Sequence, residues 1–279
     1  MSLFTASLNS GSNGNCYYIA NETEAVLVDV GISCKEIIKR LTRLKLSVDK
    51  VKAIFISHEH SDHIKGLQVM ANKYKLPVYI TKATHIGSGL PLEPDLTFTF
   101  DAYEQIGIGN LTVTAFPKAH DCADGHSFVV SGNGVNIGVL TDIGSVCQHV
   151  IENFKQCHAV YLETNYDEEL LEQSNYPWYL KNRIRGGNGH LSNKQALELF
   201  LKHRPDFMSH VFLSHLSQNN NSPQLAQKLF DEHARDTKIV VASREYETEV
   251  FHIQSKLPAP KRNEIYQPFS RQVQLSLFS

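Results

Sequence analysis

The 279 residues carry 27 Lys and Arg against 29 Asp and Glu, a formal charge of −2, so no overall field draws the chain to nucleic acid and such a partner has to be gripped locally. A 42% share of hydrophobic residues is enough to bury one large core or two modest ones. No apolar run approaches the ~20 residues that a membrane helix needs, and the start MSLFTASLNSGSNG has neither the basic head nor the apolar stretch of a signal peptide, which predicts a cytoplasmic protein. In chain order, β-rich runs fall at 3–8, 16–20 and 25–30, with the glycine turn Ser10-Gly-Ser-Asn-Gly-Asn15 between the first two. A helix is predicted over about 34–46, with Ser33 as N-cap, Glu36 completing a capping box, and Ile37, Ile38, Leu41 and Leu44 on one face. The short apolar run 53–56 reads as a buried strand, followed by a helix near 62–75 and strands near 77–80, 96–100 and 111–116. Runs 127–130 and 135–140 flank Gly132-Asn-Gly134, a hairpin signal because Asn-Gly takes positive φ readily. Strands at 158–163, 208–214 and 238–242 then alternate with helices at 192–203, which has a Ser192/Gln195 capping box, and 223–234, which has Ser222 as N-cap and Pro223 at its first position.

Hairpins early and strand–helix alternation throughout predict an α/β (α+β) fold of two mixed sheets packed together with helices outside. No linker interrupts the sequence before about residue 256. From Lys256 the tail has three prolines, scattered charges and no periodicity until Val273, so the expectation is one domain over 1–255 and an extended arm over 256–279.

Five cysteines, odd in number, far apart and never in a Cys-x-x-Cys pair, argue against a disulfide framework or a thiolate zinc site and read as buried thiols. Fourteen histidines are an excess, and several stand beside Asp, a pattern that suits borderline metals. They concentrate in Ser57-His-Glu-His-Ser-Asp-His63, directly after the strand at 53–56. Three histidines and an aspartate so close together converge on one point if the chain turns sharply, as a strand end leading into a helix makes it do. Neutral imidazoles with a carboxylate suit zinc, manganese or iron. Taken singly, Asp142 is as readily a turn residue and His215 a buried polar group.

His58-Glu-His-Ser-Asp62-His63 matches the His-x-His-x-Asp-His signature, and in this the chain resembles the metallo-β-lactamase-fold hydrolases. The companions follow in order: Asp29 at the end of an early strand, His120 in Lys-Ala-His-Asp, Asp142 in Leu-Thr-Asp-Ile-Gly and His215 in Leu-Ser-His-Leu-Ser, so the resemblance spans residues 1 to about 250. It implies a four-layer αββα sandwich and two divalent metal ions, zinc or manganese, with iron as a further option. His58, His60 and His120 would hold one ion, Asp62, His63 and His215 the other, with Asp142 bridging and Asp29 orienting the histidine loop from behind. Such a pair activates a shared water and clamps the phosphate as the leaving oxygen departs.

The fold leaves the substrate open. Asp62, Asp142 and His215 together resemble the phosphodiesterase branch, which includes ribonuclease Z and the carbon-phosphorus lyase pathway phosphodiesterase. Ser-Gly-Ser-x-Gly-Asn-Cys-Tyr-Tyr-Ile at 10–19 and Gly189-His-Leu-Ser-Asn193 resemble most the YycJ/WalJ group of bacterial 5′-exonucleases. This implies that His190 contacts the scissile phosphate or protonates the leaving group, at a capped helix start whose N–H groups favour an anion. Ser12, Gly14 and Asn15 can donate to a terminal phosphate, although a glycine-rich turn also occurs with no ligand. The segment 174–189 gathers Tyr176, Trp178, Tyr179, Lys181, Arg183 and Arg185 without an acid, as a surface that stacks bases and meets phosphates does; the alternative is that the aromatics plug the domain. These features favour a nucleic acid over a small cyclic phosphate. A small-molecule phosphodiesterase, a thioester hydrolase and a ribonuclease stay open as alternatives, whereas a binding-only role calls for a lost ligand or an added flavin domain that the sequence does not show. Lastly, Gln274-Leu275-Ser276-Leu277-Phe278 resembles the motif by which bacterial DNA polymerases and repair proteins dock on the sliding clamp, which makes DNA the expected substrate over RNA. Its apolar groups need burial either there or against their own domain.

Overall fold

The computed structural model of the protein describes residues 2–255; the arm expected from Lys256, with Gln274, Leu275, Ser276, Leu277 and Phe278, lies outside the described residues. In the first half β1 (Ser2–Asn9), β2 (Cys16–Ala20) and β3 (Ala25–Val28) form an antiparallel meander. Next, α1 (Cys34–Arg43) leads to β4 (Val51–Phe55), α2 (Ser61–Ile64) and α3 (Leu67–Tyr74) to β5 (Val78–Tyr79), and α4 (Lys82–Ser88) to β6 (Thr97–Phe98), so β3 to β6 run parallel. The second half repeats this plan. The strands β7 (Gln105–Ile108), β8 (Leu111–Pro117), β9 (His126–Gly132) and β10 (Val135–Leu140) are antiparallel. Then α5 (Gln148–Phe154) leads to β11 (Ala159–Glu163), α6 (Glu168–Gln173), α7 (Trp178–Arg185) and α8 (Asn193–His203) to β12 (His210–Ser214), and α9 (Pro223–Asp231) to β13 (Lys238–Val241), all parallel to β10. A last strand, β14 (Phe251–Gln254), returns to pair antiparallel with β1, giving two mixed seven-stranded sheets.

Side chains alternate across a strand, so a strand with both faces covered must be apolar throughout. In β3, Val26 and Val28 enter the core shared with Phe128 and Tyr161 of the other sheet, while Leu27 packs with Ile37 and Leu67 of the helices outside. In β11 the same division sends Tyr161 between the sheets and Val160 and Leu162 toward Phe154, Phe200 and Phe230. Three apolar layers thus separate four layers of structure, the αββα sandwich. Among the described residues no helix is long and apolar enough to cross a membrane.

Several boundaries differ from expectation. The helix expected over 62–75 is two helices, broken where the Gly66 amide donates to Val30 O at 2.8 Å. A Cβ on Gly66 would stand 2.1 Å from Ile32 O, so the backbone here closes on the loop after β3 more tightly than a side chain allows. Half of the capping box on α1 forms: Ser33 Oγ accepts from Glu36 N, but the Glu36 carboxylate turns to Arg40 Nε at 3.0 Å. The aromatic and basic segment 174–189 contains α7 where irregular chain was expected, and α4, α5, α6, β7 and β14, all short, were not anticipated. All five cysteines are free, and Cys122 and Cys147 are half-buried, in contrast to the expectation for every thiol.

Candidate metal centre

The functional groups come from chain turns at strand ends. Asp29 follows β3, the loop Ser57 to His63 follows β4, Asp142 comes two residues after β10, Glu163 ends β11 and His215 follows β12. Asp29, Asp142 and His215 adopt φ of 60°, 56° and 57°. This left-handed backbone costs a residue with a Cβ on the order of 1–3 kcal/mol and persists only where its surroundings enforce it. At His215 the enforcement is visible: its amide donates to Ser10 Oγ at 2.8 Å, and Ser10 Oγ lies 2.8 Å from the Tyr17 hydroxyl.

Four of the ligand rings, those of His58, His63, His120 and His215, are aimed by what holds their Nδ1. Asp29, fully buried, accepts from Ser57 N at 2.8 Å and Ser57 Oγ at 2.9 Å, and its Oδ2 stands 2.7 Å from His63 Nδ1. Ser57 Oγ stands in turn 2.9 Å from His58 Nδ1, so one carboxylate orients two imidazoles. His120 Nδ1 faces Gly189 O at 3.0 Å. Gly189 is fitted so closely into the turn after α7 that a Cβ there would meet Ile184 O at 2.1 Å. His215 Nδ1 lies 3.0 Å from Glu163 Oε1.

Three of the opposite ring atoms make no hydrogen bond. Nε2 of His58, His120 and His215 and Oδ2 of Asp142 are buried with no hydrogen bond. Each such atom costs about 1–3 kcal/mol if nothing meets it, so four of them converging is the signature of a site built for cations. His58, His60 and His120 can offer donor atoms within 4.8 Å of one another, as can Asp62, His63 and His215, and Asp142 joins a third such group with His58 and His63. Asp62 Oδ2 lies 3.4 Å from His63 Nε2 and 3.5 Å from His215 Nε2, and Asp142 Oδ2 lies 3.2 Å from His63 Nε2. All seven residues expected as ligands are therefore brought together in overlapping groups, one of which also takes in Glu163 and His190, and the donor set fits divalent metal ions.

Electrostatics divides the rings. Burial, reinforced by His63 and Lys118, holds His58 well below the ordinary histidine range, and burial pushes His120 down to about 4 against the pull of Asp142. Both are neutral at pH 7, the ligand form. Burial disfavours charge on His63 and His215 as well, but there it is outweighed. Asp142, Asp29 and Asp62 raise His63 well above its usual value, and Asp142, Asp62 and Glu163 lift His215 to about 10. Without metal these two rings carry protons where the cations belong, so metal uptake expels protons.

Glu163 is a functional residue that the sequence reading missed. It is fully buried, accepts from Ile143 N at 2.7 Å and Leu191 N at 3.2 Å, and touches His190 Nδ1 at 2.8 Å as well as His215. Burial raises its pKa, but His190 and His215 prevail and hold it at about 2. The available signal was an acid closing the otherwise apolar strand Ala-Val-Tyr-Leu-Glu.

A cleft of about 270 Å³ opens over the centre, lined by Ser12, Asp121, Tyr176, Arg183, His190 and His215 among others. Asn15, expected to touch phosphate, is instead buried: its Nδ2 lies 3.3 Å from Asp62 Oδ2 and 3.1 Å from His63 Nε2, and its N–H donates to Asp62 O at 2.7 Å. It steadies the ligand loop, because the glycine turn folds it inward. Of the three cations of α7, Arg183 lines the cleft and pairs with Asp121 at 2.6 Å, whereas Lys181 and Arg185 turn to the backbone and carboxylate of Glu172. Trp178 and Tyr179 are 75% and 71% exposed and plug nothing, although neither lines this cleft.

The residue pattern of the family described as the Beta-lactamase superfamily domain matches residues 24–215. The chain is 34% identical to exodeoxyribonuclease YycJ of Bacillus anthracis over 81% of its own length and 87% of that protein's. It is 30% identical to exodeoxyribonuclease WalJ of Streptococcus pneumoniae over 78% of its length and 83% of the relative's. Among solved structures, the metallo-β-lactamase fold protein YhfI of Bacillus subtilis superposes with a TM-score of 0.68 at 15% identity, covering 88% of this chain and 99% of that one. With its Nε2 atoms bare, its carboxylates converging and this pattern spanning most of the fold, the chain belongs to the β-lactamase superfamily as a metal-dependent hydrolase, in one family with the YycJ and WalJ exodeoxyribonucleases.

Proposed function

We propose that the protein is a dinuclear 5′-exonuclease acting on DNA, with His58, His60 and His120 holding one divalent ion, Asp62, His63 and His215 the second, and Asp142 between them. The observation that carries this reading is the gathering of the unpartnered Nε2 atoms of His58, His120 and His215 around Asp62 and Asp142, in a chain related over four-fifths of its length to a named exodeoxyribonuclease. Two bound ions would supply a deprotonated water at neutral pH and neutralise the charge of the phosphodiester. The chain's own residues do the rest. Asp29 and Glu163 lock the rings, Asn15 fixes Asp62, and His190, its Nδ1 held by Glu163, keeps Nε2 as the free nitrogen of the ring to donate a proton to the departing oxygen. A carboxylate accepting from Nδ1–H fixes the orientation of the ring. The proton given up from Nε2 is then the second proton of the imidazolium, which returns to neutral imidazole on the transfer. Zinc and manganese both suit the donor set. The direct test is incubation of metal-loaded protein with end-labelled single- and double-stranded DNA and RNA oligonucleotides beside bis(4-nitrophenyl) phosphate. Stepwise shortening of DNA from the 5′ end is expected, and cleavage of the small ester alone would return the reading to a small-molecule phosphodiesterase.

The exposed aromatics and cations of α7 beside the cleft form a track for a nucleic-acid strand. Neutralising Lys181, Arg183 and Arg185 together is expected to weaken DNA cleavage and flatten its salt dependence, since each lost phosphate contact removes released counterions. Hydrolysis of bis(4-nitrophenyl) phosphate should be unchanged; an equal fall for both substrates would make α7 a structural cover. Because Lys181 and Arg185 spend their charge on Glu172, Arg183 alone should account for most of the effect.

The sequence Gln274-Leu-Ser-Leu-Phe278 supports a second contact, with a bacterial sliding clamp, that raises the concentration of the enzyme at replicating or repaired DNA in the cytoplasm. The full chain is expected to bind purified clamp and a variant ending at Arg271 to lose that binding. Equal binding by both, or by neither, removes this partner and leaves the metal centre untouched.

A further inference from the structure

A second cleft, of about 340 Å³, adjoins the metal centre. The two share Ser217, two residues beyond His215, and Ser10, which receives the His215 amide, lies in the wall of the second. Leu216, Val241 and Ala242 give that wall an apolar part, Ser217 and Gln218 a polar one, and Arg244 its one cation; Glu245, exposed, is the acid among the described lining residues. Its volume is in the range of small-ligand sites.

Arg244 is unusual among the cations of the described residues. Its Nη1 is shut off from solvent and has no hydrogen-bond partner, whereas the buried Arg40 spends its guanidinium on Leu8 O, Asn9 Oδ1, Glu36 and Glu245 O. No ion pair engages Arg244 among the described residues. Burying a guanidinium nitrogen with nothing to accept from it is unfavourable unless an anion completes it. Its backbone is also anchored to the glycine turn that faces the metals. Asn13 Nδ2 donates to Arg244 O at 2.9 Å, Ser10 N donates to Ser243 O at 3.0 Å, and a Cβ on Gly11 would stand 3.1 Å from Arg244 Cβ. The turn therefore ties two sites together: on one side Asn15 steadies Asp62, and on the other Arg244 is held over the neighbouring cleft.

We propose that this second cleft is a subsite for the terminal nucleotide of the strand, with Arg244 binding its 5′-phosphate and the apolar wall taking the sugar or base. This rests on the exonuclease reading and extends it: a strand end seated here places the next phosphodiester over the metal centre, so Arg244 makes the enzyme read an end instead of an internal bond. A guanidinium suits the task because it forks onto two phosphate oxygens.

The test compares one DNA duplex bearing either a 5′-phosphate or a 5′-hydroxyl, cut by the metal-loaded full chain and by Arg244→Gln, with bis(4-nitrophenyl) phosphate as a control that needs no end. The unmodified chain is expected to favour the phosphorylated end by ~10-fold or more in kcat/KM, the scale of one charge-assisted contact. In Arg244→Gln that preference should vanish because the phosphorylated substrate slows to the rate of the other, while the small ester and the metal content are unaffected. A deoxynucleoside 5′-monophosphate should inhibit the unmodified chain competitively and the variant ~10-fold less. No preference in the unmodified chain, or an equal preference in the variant, overturns the subsite and leaves the exonuclease intact. The unmodified chain alone decides the first of these even if the variant fails to fold. Ester hydrolysis with no cleavage of either duplex overturns the exonuclease reading and the subsite with it.

Discussion

Asp62→Ala is expected to abolish hydrolysis while leaving the fold in place. The side chain is 21% exposed at the start of α2 and contributes no apolar contact to the three cores; what it offers is Oδ2, 3.4 Å from His63 Nε2 and 3.5 Å from His215 Nε2. The structural contact at this position belongs to the backbone, where Asp62 O accepts from Asn15 N at 2.7 Å, and alanine keeps it. Partners that merely orient a ligand already cost roughly 10–100-fold in metal affinity or activity when removed, so loss of a ligand should cost ~10²-fold at the least. The check is specific activity at saturating metal, with metal stoichiometry and circular dichroism on the same sample. A tenth or more of the activity surviving would sink the assignment of Asp62 to the second ion. Loss of the folded spectrum would mean that the carboxylate serves stability first, through the charges it balances on His63 and His215.

The cluster from His58 to His63 was legible because four metal-donor side chains within six residues are hard to reconcile with a plain surface loop, and the strand before it was equally plain from 53–56. Asp142 and His215 were ambiguous alone, and the physical reason shows in the backbone: each stands in left-handed conformation after a strand, which sequence patterning does not register when the residue is not glycine. The break at Gly66 escaped because it depends on contact with the loop at 30–32, distant in sequence. Glu163 escaped for a related reason, as its four donors come from residues 143, 190, 191 and 215 and no local motif surrounds it. Asn15 illustrates the converse. Its motif is visible and its chemistry is indeed hydrogen bonding, yet whether the amide faces a ligand or the Asp62 loop is decided by how the turn folds. The helix α7 was missed since its aromatics and cations follow no apolar stripe, and none of its residues is buried.

His190→Ala is the second large effect, and its size should depend on the leaving group. Glu163 Oε1 stands 2.8 Å from His190 Nδ1, and the ring, 21% exposed, lines the cleft with centroids 5.2 Å from His120 and 5.3 Å from His215. It is thus adjacent to both metal clusters without belonging to either set of unpartnered nitrogens. If its protonated Nε2 hands a proton to the departing alkoxide of a DNA strand, removing it should lower kcat by ~10²-fold or more, in the range of general acid catalysis. A nitrophenolate leaves without such help, so bis(4-nitrophenyl) phosphate should be cleaved within a few-fold of the original rate, and metal content should stay unchanged. Glu163→Gln provides the companion measurement, because Glu163 Oε1 also holds His215 Nδ1 at 3.0 Å. It is expected to lower metal affinity and the hydrolysis of both substrates, in contrast to the substrate-selective loss in His190→Ala. A fall in metal content in His190→Ala would make the ring a ligand, drawn in with Asp142, Glu163 and His215. An equal loss on both substrates, with metal retained, would assign it to holding the phosphate through the whole reaction and leave protonation of the leaving oxygen to water.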